Sequence, residues 1–133
     1  MPPKKILLAE DDQDDRYLFE DYLSIREDIL LLPIAQNGVE VRDFMEKNSS
    51  SNKLPDIIIL DQNMPMQNGI QTLVSLKEDK RYLHIPIIIY STYADHQLVK
   101  NCTSRGAAMV ISKPLSKAGY QEMMNEILKV INA

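Results

Sequence analysis

Residues 56–60 read Asp-Ile-Ile-Ile-Leu, and Asp61 follows. Such a run, without polar alternation, suits a strand covered on both faces, as in the middle of a parallel sheet. Four similar runs lie around it: Lys-Ile-Leu-Leu-Ala at 5–9, Ile-Leu-Leu-Leu-Pro-Ile at 29–34, Ile-Pro-Ile-Ile-Ile-Tyr at 85–90 and Ala-Ala-Met-Val-Ile at 107–111. Pro33 has no N–H to give to a ladder, which favours an edge position for the second run.

Segments of helical period separate these runs. Leu18, Phe19, Tyr22 and Leu23 share one face of a helix after the first, and Val41, Phe44 and Met45 do so after the second. Asn37 with Glu40 three residues later is a start signal for that second helix. Ile70, Leu73 and Val74 repeat the spacing, then Leu98 with Cys102, and most clearly Tyr120, Met123, Met124, Ile127, Leu128 and Ile131. Strands that alternate with helices, joined by right-handed crossovers, give a parallel α/β sheet with helices on both faces. Residues 48–52, Asn-Ser-Ser-Ser-Asn, read as a flexible loop.

The 133 residues fit one domain, 1–133, with no room for a second core or an output domain, and need neither a disulfide framework nor a structural metal to fold. Tryptophan is absent and aromatics make up 6%, against an aromatic-lined sugar or single-stranded nucleic-acid groove. A net charge of -4 lacks the electrostatic footprint of a nucleic-acid binder. The single cysteine, Cys102, cannot make an internal disulfide or a thiolate metal site by itself, and reads as a buried small side chain. The first residues are too short of apolar character for a secretory leader, and no run reaches the roughly 18–20 apolar residues of a membrane helix. These features lead us to expect a soluble cytoplasmic protein.

Open parallel sheets bind their ligands beyond the carboxyl ends of the strands. Glu10, Asp11 and Asp12 follow the first strand, Asp61 the third, Ser91 and Thr92 the fourth, and Lys113 and Pro114 the fifth. Taken singly, each has a structural role: an acid pair after a strand caps a helix, and Asp12, Asp14 and Asp15 fit that role. A lone Asp there is a turn residue, and a lone Lys before Pro a solvated one. Their joint occurrence points to a site. Clustered carboxylates repel one another unless a cation sits among them, and oxygen donors without His or Cys favour Mg²⁺ over Zn²⁺.

These stretches, Ile-Leu-Leu-Ala-Glu-Asp-Asp at 6–12, Ile-Ile-Ile-Leu-Asp-Gln-Asn-Met-Pro-Met-Gln-Asn-Gly at 57–69, Ile-Ile-Ile-Tyr-Ser-Thr-Tyr-Ala at 87–94 and Gly-Ala-Ala-Met-Val-Ile-Ser-Lys-Pro at 106–114, resemble the receiver domains of two-component response regulators of the chemotaxis-regulator type. The resemblance spans nearly the whole chain. It implies a flavodoxin-like (βα)5 doubly wound sheet of strand order 2-1-3-4-5. It also implies that Asp61 accepts a phosphoryl group, and that Glu10, Asp11, Asp61 and the Asn63 carbonyl hold Mg²⁺. Ser91 and Lys113 would then bind phosphoryl oxygens, and the Lys113–Pro114 bond would be cis. The implied partners are a histidine kinase or phosphotransfer protein and an unidentified downstream protein, with no nucleic acid or membrane and a monomer or weak dimer as the assembly.

The sequence departs from the family at Val110, where many receivers carry Tyr or Phe, so an inward-turning ring cannot report the switch there. Tyr93 stands where the family tunes access of water to the phosphoryl group. A flavin carrier of the same fold would need a hydroxyl- and Gly-rich loop where Glu10–Asp12 stand. A phosphatase of the haloacid dehalogenase type would need Asp where Asn63 stands, and an unphosphorylated scaffold has no need of the full reactive set. His84 and His96 fall away from the strand ends. Met123 and Met124 belong to a core stripe, Met64 and Met66 flank Pro65 in a loop that packs or meets a partner, and Lys4 and Lys5 are solvated residues before the first strand.

Overall fold

The computed structural model describes residues 2–51 and 53–132. Five parallel strands, β1 Lys4–Ala9, β2 Ile29–Leu31, β3 Ile57–Asp61, β4 Ile87–Ser91 and β5 Met109–Ser112, lie in the order β2-β1-β3-β4-β5. Helices α1 Gln13–Leu23, α2 Gly38–Asn48, α3 Gly69–Lys77, α4 His96–Ser104 and α5 Lys117–Ile131 alternate with them, and a short 3-10 turn spans Lys80–Tyr82. This is the doubly wound, flavodoxin-like sheet implied by the sequence. Among the described residues, no helix is long and apolar enough to cross a membrane.

Side-chain alternation divides the core in two. Ile6 and Leu8 of β1, Ile57 and Ile59 of β3, and Ile88 and Tyr90 of β4 meet Phe19 of α1 and Tyr120, Met124 and Ile127 of α5. Leu7, Ile58, Leu60 and Ile89 turn the other way, towards Val41 and Met45 of α2, Leu73 of α3 and Cys102 of α4. All five residues of β3 are buried, and each large aliphatic side chain so enclosed contributes about 1.5–3 kcal/mol. The helices begin where polar caps allow: Asp12, Asn37, Asn68, Asp95 and Ser116 each accept a backbone N–H three residues on.

Proline moves the strand bounds away from the apolar runs. The second run ends as a strand at Leu31; Leu32 N–H still bonds the Ile6 carbonyl at 2.9 Å, and past Pro33 the chain pairs again at Ala35, whose N–H bonds the Leu8 carbonyl and whose own carbonyl receives Glu10 N–H at 2.9 Å. Likewise β4 starts after Pro86 and runs through Ser91. Lys4 and Lys5, read as solvated, are half-buried residues of β1, paired with Ile29 and Leu30. Asn48 closes α2 and residues 49–51 form a turn, while Asn52 of the expected loop lies outside the described residues.

Candidate functional site

Sheet register assembles the pocket. Ala9 pairs with Leu60, so Glu10 and Asp61 stand side by side; Asp61 pairs with Tyr90, and Ser91 with Ser112, immediately before Lys113. The Lys113 ammonium lies 2.9 Å from Glu10 Oε1, 3.2 Å from Asp61 Oδ2 and 3.0 Å from Asp15 Oδ2. Glu10 is fully buried, Asp61 and Ser91 are buried, and Asp11 is exposed at the rim. Glu10, Asp11 and Asp61 each offer one carboxylate oxygen, all within 4.8 Å of one another. Three hard oxygen donors at that spacing fit a divalent cation of the Mg²⁺ or Mn²⁺ kind.

The loop after β3 is held tightly. Asn63 N–H donates to Asp61 Oδ1 at 3.2 Å, and Gln62 Oε1 accepts from Ile70 N–H at the start of α3. Gln67 N–H reaches back to Pro65 O at 2.7 Å around Met66, whose φ of 67° makes this a strained γ-turn. Met64 is buried in the core, whereas Met66 is exposed. A Cβ on Gly69 would lie 2.8 Å from the Asp61 carbonyl oxygen, so the start of α3 approaches the site as closely as the backbone permits.

Burial, and then the neighbouring Glu10 carboxylate, push the Asp61 carboxyl up to about 7 against the pull of Lys113. Burial also works to raise Glu10, but hydrogen bonds with Asp61, Tyr90 and Lys113 outweigh it and hold Glu10 below its ordinary value. Burial alone would lower Lys113; its bonds to Glu10 and Asp15 raise it instead, so the ammonium stays charged. A bound cation would relieve the stress between the two acids.

Every residue picked out at the strand ends lies on this one edge. Ser91 is buried at the end of β4 and accepts a 3.4 Å bond from Tyr93 N–H, while the Tyr93 ring is exposed. Val110 is half-buried beside the core that faces α2, α3 and α4. Neither histidine is among the site residues described: His96 opens α4, and His84 lies exposed beyond the other end of the sheet, before β4. The Lys113–Pro114 bond, implied to be cis, is trans, the form an X–Pro amide itself prefers by about 0.5–1 kcal/mol.

Three contributors went unread in the sequence. Asp15 does lie in the first turn of α1, but it also pairs with Lys113. Arg16 donates to the carbonyls of Glu10 and Asp11, at 3.1 and 2.8 Å, and so fixes the backbone of the acidic pair. Tyr90 donates from its hydroxyl to Glu10 Oε1 at 2.5 Å. Its position at the end of an apolar run reads as core, and only the pairing across β3 reveals the contact.

The chain matches the response regulator receiver domain family over residues 6–125. It belongs to that family. It is 27% identical to the polar-differentiation response regulator DivK of Brucella anthropi, covering 95% of this chain and 97% of that one. It is also 27% identical to a chemotaxis protein CheY homolog of Campylobacter jejuni, covering 93% and 92%. Among solved structures, the Mn²⁺-bound form of response regulator Rcp1 superimposes with a TM-score of 0.79 at 24% identity, over 94% of this chain and 91% of that one, a likeness of fold. The receiver family places this chain among two-component signalling proteins, and its acidic pocket fits a divalent metal beside a phosphorylated Asp.

Proposed function

We propose that Asp61 accepts a phosphoryl group from a phosphohistidine on a histidine kinase or histidine phosphotransfer protein, in a reaction that depends on Mg²⁺. Glu10, Asp11 and Asp61, with the Asn63 carbonyl, would hold the ion, which when bound neutralises charge on the phosphoryl oxygens. The observation that carries this reading is the Lys113 ammonium 3.2 Å from the buried Asp61 carboxylate, where Glu10, Asp11 and Asp61 each bring one oxygen within 4.8 Å of the others.

The chain's own residues supply positioning and charge. An Asp61 carboxylate oxygen attacks phosphorus as the P–N bond to the donor imidazole breaks. The electron pair of that bond stays on the imidazole nitrogen, which takes a proton from solvent. Such loose transfers need alignment and charge stabilisation more than a strong nucleophile. Lys113 moves its hydrogen bonds from Asp61 to a phosphoryl oxygen, and the Ser91 hydroxyl donates to another. The added charge, about -2, then biases the loops after β3 and β4, and protein contacts of this one receiver unit read the change. With Val110 in place of an aromatic ring, the readout uses other groups than a ring turning inward from β5.

The test is intact mass after incubation with acetyl phosphate and Mg²⁺. Wild type is expected to gain one phosphoryl mass, and Asp61→Asn none. A wild type that stays unmodified would refute the proposal.

A further inference from the structure

We propose that Tyr90 is a positioning residue of this pocket, holding the Glu10 carboxylate for cation binding while Lys113 is free to serve the phosphoryl group; the inference rests on the phosphoacceptor reading above. Tyr90 is completely buried on the α1 and α5 side of β4. Its ring meets Phe19 edge-on at 6.5 Å, and Phe19 in turn meets Tyr120 at 6.0 Å, so the hydroxyl is carried on a ring that packing holds still. That hydroxyl donates to Glu10 Oε1 at 2.5 Å, and the Lys113 ammonium stands 5.0 Å from the centre of the same ring.

Glu10 Oε1 therefore has two donors of different kinds. Lys113, at 2.9 Å, sits on a flexible stem and is shared with Asp15 and Asp61; Tyr90 is rigid. Glu10 Oε2 is held separately by Asp12 N–H at 3.1 Å. When Lys113 turns to a phosphoryl oxygen, Tyr90 is the donor that stays on Oε1. A fully buried carboxylate oxygen stripped of its donors is strongly disfavoured, so without Tyr90 the lysine is tied to Glu10. Partners that orient metal-site carboxylates change metal affinity by about 10–100-fold when removed.

Tyr90→Phe removes one oxygen and keeps the ring against Phe19, so the fold is preserved, and its melting temperature checks this. Mn²⁺ dissociation constants, read from the resonance of the free ion, are measured for wild type, Tyr90→Phe, Glu10→Ala and the double variant. Tyr90→Phe is expected to weaken Mn²⁺ binding about 10-fold and to change nothing further once Glu10 is Ala. Equal affinities for wild type and Tyr90→Phe, or the same loss in both backgrounds, would overturn the role assigned to Tyr90. The same wild-type preparation is tested for phosphoryl uptake from acetyl phosphate. If uptake occurs while Tyr90→Phe binds Mn²⁺ unchanged, only the inference about Tyr90 fails; if wild type takes up nothing, the phosphoacceptor reading itself fails.

Discussion

Replacing Asp61 with Asn stabilises the metal-free protein while removing the function proposed for it. The native carboxyl sits at about 7 rather than at its ordinary 3.8, because it is buried against Glu10. A shift of about 3 units, taken alone, is a destabilisation of about 4 kcal/mol at pH values above 7. Glu10 is lowered in the same pair, which returns part of this, so the net penalty is smaller than that figure. A raised carboxyl pKa contributes stability below the unfolded value, and this contribution is lost as pH rises through the folded one. Wild type thus carries the full penalty at about pH 8 and little of it at about pH 4. Asn keeps the Oδ1 that accepts from Asn63 N–H, and Lys113 keeps Glu10 and Asp15. For a chain of this length each kcal/mol of that penalty removed raises the melting temperature by roughly 3–5 °C. Thermal unfolding of both proteins in chelator, at the two pH values, reads it directly. An Asn variant that melts at or below wild type at the higher pH, or whose advantage is the same at both, would refute the reasoning.

Cation affinity should rise with pH up to about 7 and then level off, falling about tenfold per unit below it as a proton must leave Asp61. Calorimetric titration with Mg²⁺ in buffers of different ionisation enthalpy measures both the slope and the released proton, and a flat profile would count against it. Gly69→Ala places a Cβ 2.8 Å from the Asp61 carbonyl oxygen and 2.9 Å from Gln62 Cα, both backbone. It is expected to lower stability by about 2 kcal/mol in urea unfolding and to slow phosphoryl uptake, because α3 must back away from the site. Tyr93→Ala removes an exposed ring two residues past Ser91. Loss of phosphoryl label should then be faster than in wild type, and equal half-lives would leave the ring with no part in shielding the group.

The sheet was legible because its strands are buried on both faces, and burial of that kind writes unbroken runs such as Ile57–Leu60. That the candidate site residues would come together was legible because a parallel sheet brings the ends of β1, β3, β4 and β5 to one edge. What escaped depended on three-dimensional reach. Asp15 looks like a first-turn acid from sequence, and its pairing with Lys113 arises only because β5 ends beside α1. Tyr90 looks like the last core residue of a strand, and its hydroxyl becomes polar chemistry only because Asp61 pairs with it and Glu10 lies one strand further on. The short 3-10 turn at Lys80–Tyr82 carries no periodicity, yet Arg81 ties Asp79 to Glu46 of α2 from it, at 2.7 and 2.8 Å. Lys4 and Lys5 were misread because a long aliphatic stem can lie along a strand while its charge stays near water.

The measurement nearest the central claim locates the modified atom. Protein phosphorylated with acetyl phosphate and Mg²⁺ is reduced with borohydride, which converts an aspartyl phosphate to homoserine, and its peptides are sequenced by mass spectrometry. The account predicts homoserine at position 61 alone; a mark on Glu10 or Asp11, or none in protein that has gained a phosphoryl mass, would contradict it.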